Sequence, residues 1–571
     1  MTRSRALLVA ACLVAAVCCL ARLGALPLLQ PDEGRNTEVA REMAARGAWL
    51  VPTYDGLPYL DKPAFYFRLV GLSMAALGEN ETAARLPGAL AALGVLALMY
   101  AFARRSYGAR AAALAVLVVG TTPLVIAFAR IVIFDMLLAL FVVAAVLAGY
   151  RAEESEGASR ARWYALGAAC AGLATLVKGP VGFLLPALVL AGFHGLNRTA
   201  GAIRRLFAPL NLVVFLAIVL PWFFGVAHFR PDFPYYGLVE ESLHRFTSSQ
   251  FHRTAPIWYY VPVIAAVLFP WSLVLPESLA VAWRTRRRWT RPDRLLIAWV
   301  LVAVIFFSIS QSKLPGYVLT AVVALGVLVA RVLDLAIADP VGRARAVVQR
   351  ATIALAVVAA LGAGLLGLAL GTAGGLPVLL HVRGGDLVRL APATGALAWV
   401  LAILAALSAV AAWRRDVRVA SAAFAALPLL LLTIAFGGAR AYAESGSARR
   451  LAQGLPPLPA GTEVACYRCL PNGLPFYLRR TVTVVTTDGS ETTSNYVVFF
   501  LKRTSPWPAQ VVPVDSLGPW LASRRASVYL LADRDRRAAL DSIATPRAAA
   551  VSEVTDGWWG ALLAPPSPGG R

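Results

Sequence analysis

A succession of long apolar runs leaves this chain few ways to fold. Residues 6–28, 84–103, 110–129, 132–150, 164–180, 181–197, 206–226, 257–279, 293–310, 315–337, 347–371, 392–413 and 417–436 are each apolar with few charges. Each is near the ~20 residues a helix needs to cross a hydrocarbon layer. Backbone polar groups in lipid must be satisfied within the segment, so these runs read as helices. The expectation is a polytopic α-helical membrane protein with about 13 transmembrane helices. At 59% hydrophobic and 15% charged over 571 residues, a soluble protein is excluded.

The loops sort into two kinds. A net charge of +23 would suit nucleic acid, but the arginines sit in short loops: Arg104/Arg105/Arg110, Arg151/Arg160/Arg162, Arg198/Arg204/Arg205, the run from Arg284, Arg343/Arg345/Arg350 and Arg414/Arg415/Arg418. That pattern is the cytoplasmic side of a membrane protein, so no nucleic-acid partner is expected. Arg3 and Arg5 put the N-terminus in the cytoplasm. The first run has the basic start of a signal peptide, yet it approaches spanning length and other spans follow, so it reads as an uncleaved helix. The opposite face receives residues 31–68, Lys178, the segment 228–254, residues 311–317 and everything after the last run.

From about Gly438 the long apolar runs stop. TEVACY, TVTVVT, NYVVFFL and SVYLLA read as strands, and DRDRRAALDSIA as a helix. Two domains are expected: a transmembrane domain over 1–437, with 31–68 as its first outer loop bearing interfacial helices, and a soluble extracytoplasmic α/β domain over 438–571.

Residues 31–68, PDEGRNTEVAREMAARGAWLVPTYDGLPYLDKPAFYFR, form a dense polar island directly after the first span. Ionised groups beside lipid cost several kcal/mol unless they pair, snorkel or do chemistry. EVAREMAAR has the stripe of a short surface helix, stopped by Gly47. Asp32 and Glu33 lie at its start, where negative charge is favoured, so Asp32 reads either as a cap or as a site carboxylate. Asp61 and Lys62, bracketed by Pro58 and Pro63 and followed by three aromatics, offer a carboxylate for sugar hydroxyls or a proton and an ammonium for phosphate.

Asp135 stands alone in ARIVIFDMLLALF, with Arg130 its nearest expected partner. Lys178 in LVKGP and Lys313 in SKLPGY each place a cation at an outer span end beside Gly and Pro. Freed backbone N–H groups with a lysine suit a phosphate, while a snorkelling anchor is the plainer role. The histidines and acids of 228–254 follow no metal motif, so no metal site is assigned and His244 and His252 are its only candidates. Cys466 and Cys469 lack the partners of a zinc site and read as a local disulfide.

These motifs, in this order, resemble the GT-C glycosyltransferases of the aminoarabinose transferase (ArnT) and protein O-mannosyltransferase superfamily. The resemblance rests on PDEGRNTEVAREMAARGAWLVPTYDGLPYLDKP, RIVIFD, LVKGP and SKLPGY. It implies a GT-C fold in a bacterial inner membrane and an inverting transfer of a sugar, such as 4-amino-4-deoxy-L-arabinose, from a polyprenyl phosphate to an acceptor such as lipid A. It implies a periplasmic catalytic cavity with Asp32, Asp61 and Asp135 as its acids. Arg35, Lys62, Lys178, Lys313 and Tyr317 would surround the donor phosphate, and no cofactor is required. Two positions depart from the family pattern: Asn36 stands where Tyr is common, and Asp61 where Glu is usual. The alternatives are a protein O-mannosyltransferase-like enzyme with a hydroxyl acceptor, and a lipid or secondary transporter. A transporter should show internal repeats and midplane acids, and the sequence shows neither clearly.

Overall fold

Every apolar run of the sequence contains helix in the computed structural model, which describes residues 3–199, 201–244, 255–284, 286–371, 384–555 and 557–565, although the first run is helical only as far as Leu20. Seven helices are long and apolar enough to cross a membrane: Glu81–Tyr107, Asp135–Glu153, Pro209–Phe229, Arg291–Ile309, Pro315–Ala338, Arg343–Gly371 and Ala393–Arg414. Three bent pairs raise the number to as many as 10 among the described residues. They are Ala109–Gly120 with Pro123–Ala129, Tyr260–Val267 with Trp271–Arg284, and Val417–Thr433 with Phe436–Ser445. The remaining runs fold as the shorter Ser4–Leu20 and Val181–Asn197 and as Gly157–Lys178, which carries Arg160 and Arg162.

The chain divides into two compact units. The first comprises Met1–Leu23, Arg85–Phe224 and Leu238–Tyr442. Its bent helices show how lipid-level backbone is satisfied. Where Ala109–Gly120 breaks before Pro123, the Thr121 hydroxyl donates to Leu117 O (2.6 Å) and accepts from the buried Trp271 indole (3.0 Å). Irregular backbone at such depth is tolerated only when its polar groups find protein partners.

The second unit comprises Gly24–Ala84, Gly225–Gly237 and Ala443–Arg571, so the first loop and a short segment near residue 230 fold with the C-terminal region. Its leading helix, Asp32–Arg46, ends at Gly47, whose φ of 65° is the left-handed turn that glycine adopts without cost. In place of the expected surface helix, the residues from Glu33 to Met43 are all buried, polar ones included. Their charges are therefore paired: Arg41 holds Glu38 through two hydrogen bonds of 2.7 Å. Glu42 accepts from Thr53 Oγ1 (2.5 Å) and Gly56 N (3.0 Å). Those two residues belong to a hairpin of β1 (Thr53–Tyr54) and β2 (Leu57–Pro58), whose Asp55-Gly56 turn has both φ values positive. An Asp-Gly pair is the residue choice such a turn demands.

The C-terminal region is an α/β layer built on six strands: β3 (Glu463–Tyr467), β4 (Thr483–Thr486), β5 (Val511–Pro513), β6 (Val528–Asp533), β7 (Val551–Thr555) and β8 (Trp558–Leu563). Their order is β5-β4-β3-β6-β8-β7, parallel from β5 to β6, with β8 antiparallel to β6 and β7 antiparallel to β8. Ala465, Val485, Leu530 and Ala561 bury one face against Leu540 and Ala544 of helix Arg537–Ala544. TEVACY, TVTVVT and SVYLLA thus form strands as their β-branched content predicts, but NYVVFFL does not. It is the helix Asn495–Leu501, because Ser494 caps it through Val497 N (3.2 Å) and Tyr496, Val497 and Leu501 turn to one buried side. The expected Cys466–Cys469 disulfide is also corrected: both are buried free thiols. Arg468, between them, adopts a φ of 50° while its N–H extends the sheet to Val485 O, and the Cys469 thiol donates to Leu531 O (3.8 Å). The hydrogen bond with Cys469 and burial both push the Cys466 thiol well up, so it stays protonated.

Candidate active site

In the first unit, the LVKGP motif is a tight helix-helix corner. Gly179 ends Gly157–Lys178 with a φ of 79°, and Pro180 leads into Val181–Asn197. At Gly182 a Cβ would lie 2.2 Å from the Ala174 carbonyl carbon, so only glycine lets these two backbones approach so closely. Within the corner, Gly179 N bonds to Thr175 O and Gly182 N to Gly179 O. These two N–H groups are thus used within the corner.

Lys178 Nζ lies 2.6 Å from Asp135 Oδ1, with both side chains largely buried. Asp135 is the first residue of Asp135–Glu153. Arg130, the partner expected from sequence, instead donates to Cys18 O (3.0 Å). The rings of Phe134 and Tyr317 each stand 5.0 Å from Lys178 Nζ. Tyr317 is delivered by the SKLPGY segment, in which Pro315–Val318 is a short 3-10 turn and Gly316 admits the Phe128 ring. Lys178, Asp135 and Tyr317 are thus brought together. Lys313, four residues earlier, is buried and donates to Ser310 O (2.6 Å) of its own loop.

In the second unit, Asp32 begins its helix and is half-exposed, with Arg35 Nη2 2.5 Å from its Oδ1. Arg35 is buried and its Nη1 donates to Thr493 O (2.8 Å) and Thr493 Oγ1 (2.6 Å). Its Nε is buried without a partner among the described residues. Burial opposes the guanidinium charge, but Tyr59, Asp32, Asp61 and Tyr54 outweigh it and hold the Arg35 pKa above its ordinary value. Asn472 Nδ2 also bonds Thr493 Oγ1 (3.2 Å) and Tyr54 Oη (3.0 Å), tying the hairpin to the same turn.

Asp61 lies just before helix Phe65–Leu77 and is buried. Its Oδ1 accepts from Tyr236 Oη (2.6 Å) and from Tyr496 N (2.7 Å). The neighbouring Lys62 donates to the Asp61 carbonyl (2.7 Å), so the Asp-Lys pair is two separately held groups. Tyr496 in turn donates to Asp232 Oδ2 (2.7 Å), and Arg230 pairs with Asp232 and lies 4.5 Å from the Phe500 ring centroid. Tyr236, Thr493 and Tyr496 were not foreseen from sequence. Tyr236 lies within the polar segment singled out there, but its loop gave no motif; Tyr496 lies inside the stretch expected to be a strand, and Thr493 just before it.

His244 Nδ1 is 3.1 Å from Glu240 Oε2, an i, i+4 contact within one helix. His252 lies outside the described residues. Among the described residues, no group of three His, Cys, Asp or Glu could hold a metal ion.

Three comparisons bear on these clusters. Residues 61–224 match the family described as dolichyl-phosphate-mannose-protein mannosyltransferase. The undecaprenyl phosphate-alpha-4-amino-4-deoxy-L-arabinose arabinosyl transferase of Serratia proteamaculans (strain 568) is 34% identical over 309 residues, 53% of this chain and 55% of that protein. The protein of the same name from Erwinia tasmaniensis is 32% identical over 308 residues. The matched stretch therefore spans about half the length of these curated relatives. Over the whole chain, the crystal structure of ArnT from Cupriavidus metallidurans bound to undecaprenyl phosphate superposes with a TM-score of 0.82 at 28% identity, covering 98% of this chain and 99% of that one. Its apo form gives 0.81.

Proposed function

We propose that this chain, an ArnT-like GT-C glycosyltransferase in sequence and fold, moves a sugar from undecaprenyl phosphate to an envelope acceptor. The transferred sugar in this reading is 4-amino-4-deoxy-L-arabinose and the acceptor is lipid A. The observation that carries it is the whole-chain likeness to an ArnT solved with undecaprenyl phosphate. The local chemistry agrees. In an inverting transfer the acceptor oxygen bonds to the anomeric carbon as the bond to the lipid phosphate oxygen breaks, and negative charge returns to that phosphate. A fixed cation in a dry setting stabilises such charge far better than one in water. Lys178, pinned by Asp135 and flanked by two rings, is that cation in our reading.

Asp32 is the acid we assign to the acceptor. It is half-exposed, and Arg35 holds it in place through the contact to its Oδ1. A phosphate acceptor already carries its charge and needs only orientation; a hydroxyl acceptor needs Asp32 as base. Asp61 and Lys62 are assigned to sugar hydroxyls or amine and to phosphate charge, with Lys313 and Tyr317 as supporting donor contacts. The positive-inside pattern supports an inner-membrane placement with the N-terminus cytoplasmic and both residues 31–68 and the region 438–571 periplasmic. The reaction as written needs no cofactor.

Mass spectrometry of lipid A from a strain lacking the protein tests this reading. Loss of one aminoarabinose-sized addition, restored by the wild-type gene, is expected. The match of residues 61–224 favours a second reading, a protein O-mannosyl-type transfer to a hydroxyl. Unchanged lipid A with a missing protein-linked hexose would select it.

A further inference from the structure

One short turn of the α/β region holds two residues of the first loop. Thr493 engages the Arg35 guanidinium through both its carbonyl and its hydroxyl, at 2.8 and 2.6 Å. Three residues on, the Tyr496 N–H meets Asp61 Oδ1 at 2.7 Å. The same carboxylate oxygen accepts from Tyr236, whose ring packs edge-on against Tyr496 with centroids 4.9 Å apart. Thr493 itself has a φ of 53°, a left-handed conformation uncommon for a β-branched residue, and its hydroxyl is further fixed by Asn472. Beneath it, Gly34 packs so closely on Gly473 that a Cβ there would lie 2.6 Å from Gly473 N. The helix bearing Asp32 and Arg35 is therefore seated directly on the C-terminal backbone.

We infer that Thr493 and Tyr236 are positioning residues: Thr493 aims Arg35, and through it Asp32, while Tyr236 with the Tyr496 N–H aims Asp61. The α/β region is then a working part of the transferase, setting the orientation of the first-loop acids and cation. This rests on the function proposed above, since it is the sugar-phosphate donor and its acceptor toward which these groups are aimed. A guanidinium can rotate about its last torsions, and a second hydrogen bond to one nitrogen removes that freedom. Losing the hydroxyl contact thus costs orientation in the reacting complex more than it costs folding.

The test uses the full-length protein in proteoliposomes with undecaprenyl phosphate-linked aminoarabinose as donor and lipid A as acceptor. Thr493→Val should lower kcat about 10-fold, the scale of one hydrogen bond to a charged group, with an unchanged melting temperature. Thr493→Ser, which keeps the hydroxyl, should stay within about 2-fold of wild type. Tyr236→Phe should show a loss of the same order through Asp61, and it serves if Thr493→Val fails to fold. In an Arg35→Lys background, Thr493→Val should add less than about 2-fold, because the group it positions is gone. Full activity of Thr493→Val and Tyr236→Phe, or a Thr493→Val loss undiminished in the Arg35→Lys background, overturns the inference while the function stands. Absence of transfer by the wild-type protein, where an ArnT relative transfers, overturns both.

Discussion

Lys178 and Asp135 form a 2.6 Å ion pair between the last residue of one helix and the first of another, with the rings of Phe134 and Tyr317 closing over the lysine. A pair this dry is expensive to half-remove, because the surviving charge stays buried; breaking one typically costs about 3–5 kcal/mol. Lys178→Met and Asp135→Asn should each lower the melting temperature in detergent. The double variant should be more stable than the sum of the two losses predicts. Lys178→Met should also raise the donor concentration needed for half-maximal transfer, and a donor dependence identical to wild type would remove Lys178 from the phosphate.

Gly34 offers a steric test of how the Asp32–Arg46 helix is seated. A Cβ at this position would lie 2.6 Å from Gly473 N and 2.7 Å from Gly473 Cα, both backbone atoms that cannot swing aside. Gly34→Ala should therefore destabilise by about 1–3 kcal/mol, the usual cost of overpacking. Limited proteolysis of the variant should show earlier cleavage within residues 443–555, and an unaltered digestion pattern would show the contact to be looser.

Glu38 supplies a pH dependence with a definite sign. Burial pushes its carboxyl up to about 7, against the hydrogen bonds and charge of Arg41. A folded-state value above the ordinary one contributes stability that is full below about pH 4.5 and is lost as the pH rises through 7. At about 1.4 kcal/mol per unit, the effect is on the order of 3 kcal/mol. Melting temperature should thus fall between pH 5 and pH 8 more steeply in wild type than in Glu38→Gln. Parallel curves would show that Glu38 does not titrate across that range.

The helices of the membrane part were legible because spanning length and apolarity are local properties, and each apolar run from 6–28 to 417–436 contains helix. Helix Asp32–Arg46 was legible in its extent, down to its Gly47 stop, but not in its burial: the amphipathic stripe of EVAREMAAR cannot reveal that a distant region covers its charged face. The same limit hid the partner of Asp135. Arg130 is near in sequence, whereas Lys178 is near only once two helices pack side by side. NYVVFFL misled because β-branched and aromatic residues fit any buried surface, and a single Ser494 cap decided for helix. Thr493 carried no sequence signal and Tyr236 only its place in the polar segment 228–254, since a threonine or tyrosine becomes informative only beside the charge it holds.

Sugar transfer from a polyprenyl phosphate with Asp32 at the acceptor is open to one direct assay. Purified protein in proteoliposomes is given radiolabelled undecaprenyl phosphate-linked aminoarabinose and lipid A, and labelled lipid A is measured for wild type and Asp32→Asn at matched expression. The expected result is transfer by wild type and a loss of about 100-fold or more in Asp32→Asn, the scale of a removed general base or orienting carboxylate. No labelled acceptor with wild type, or undiminished transfer with Asp32→Asn, would contradict it.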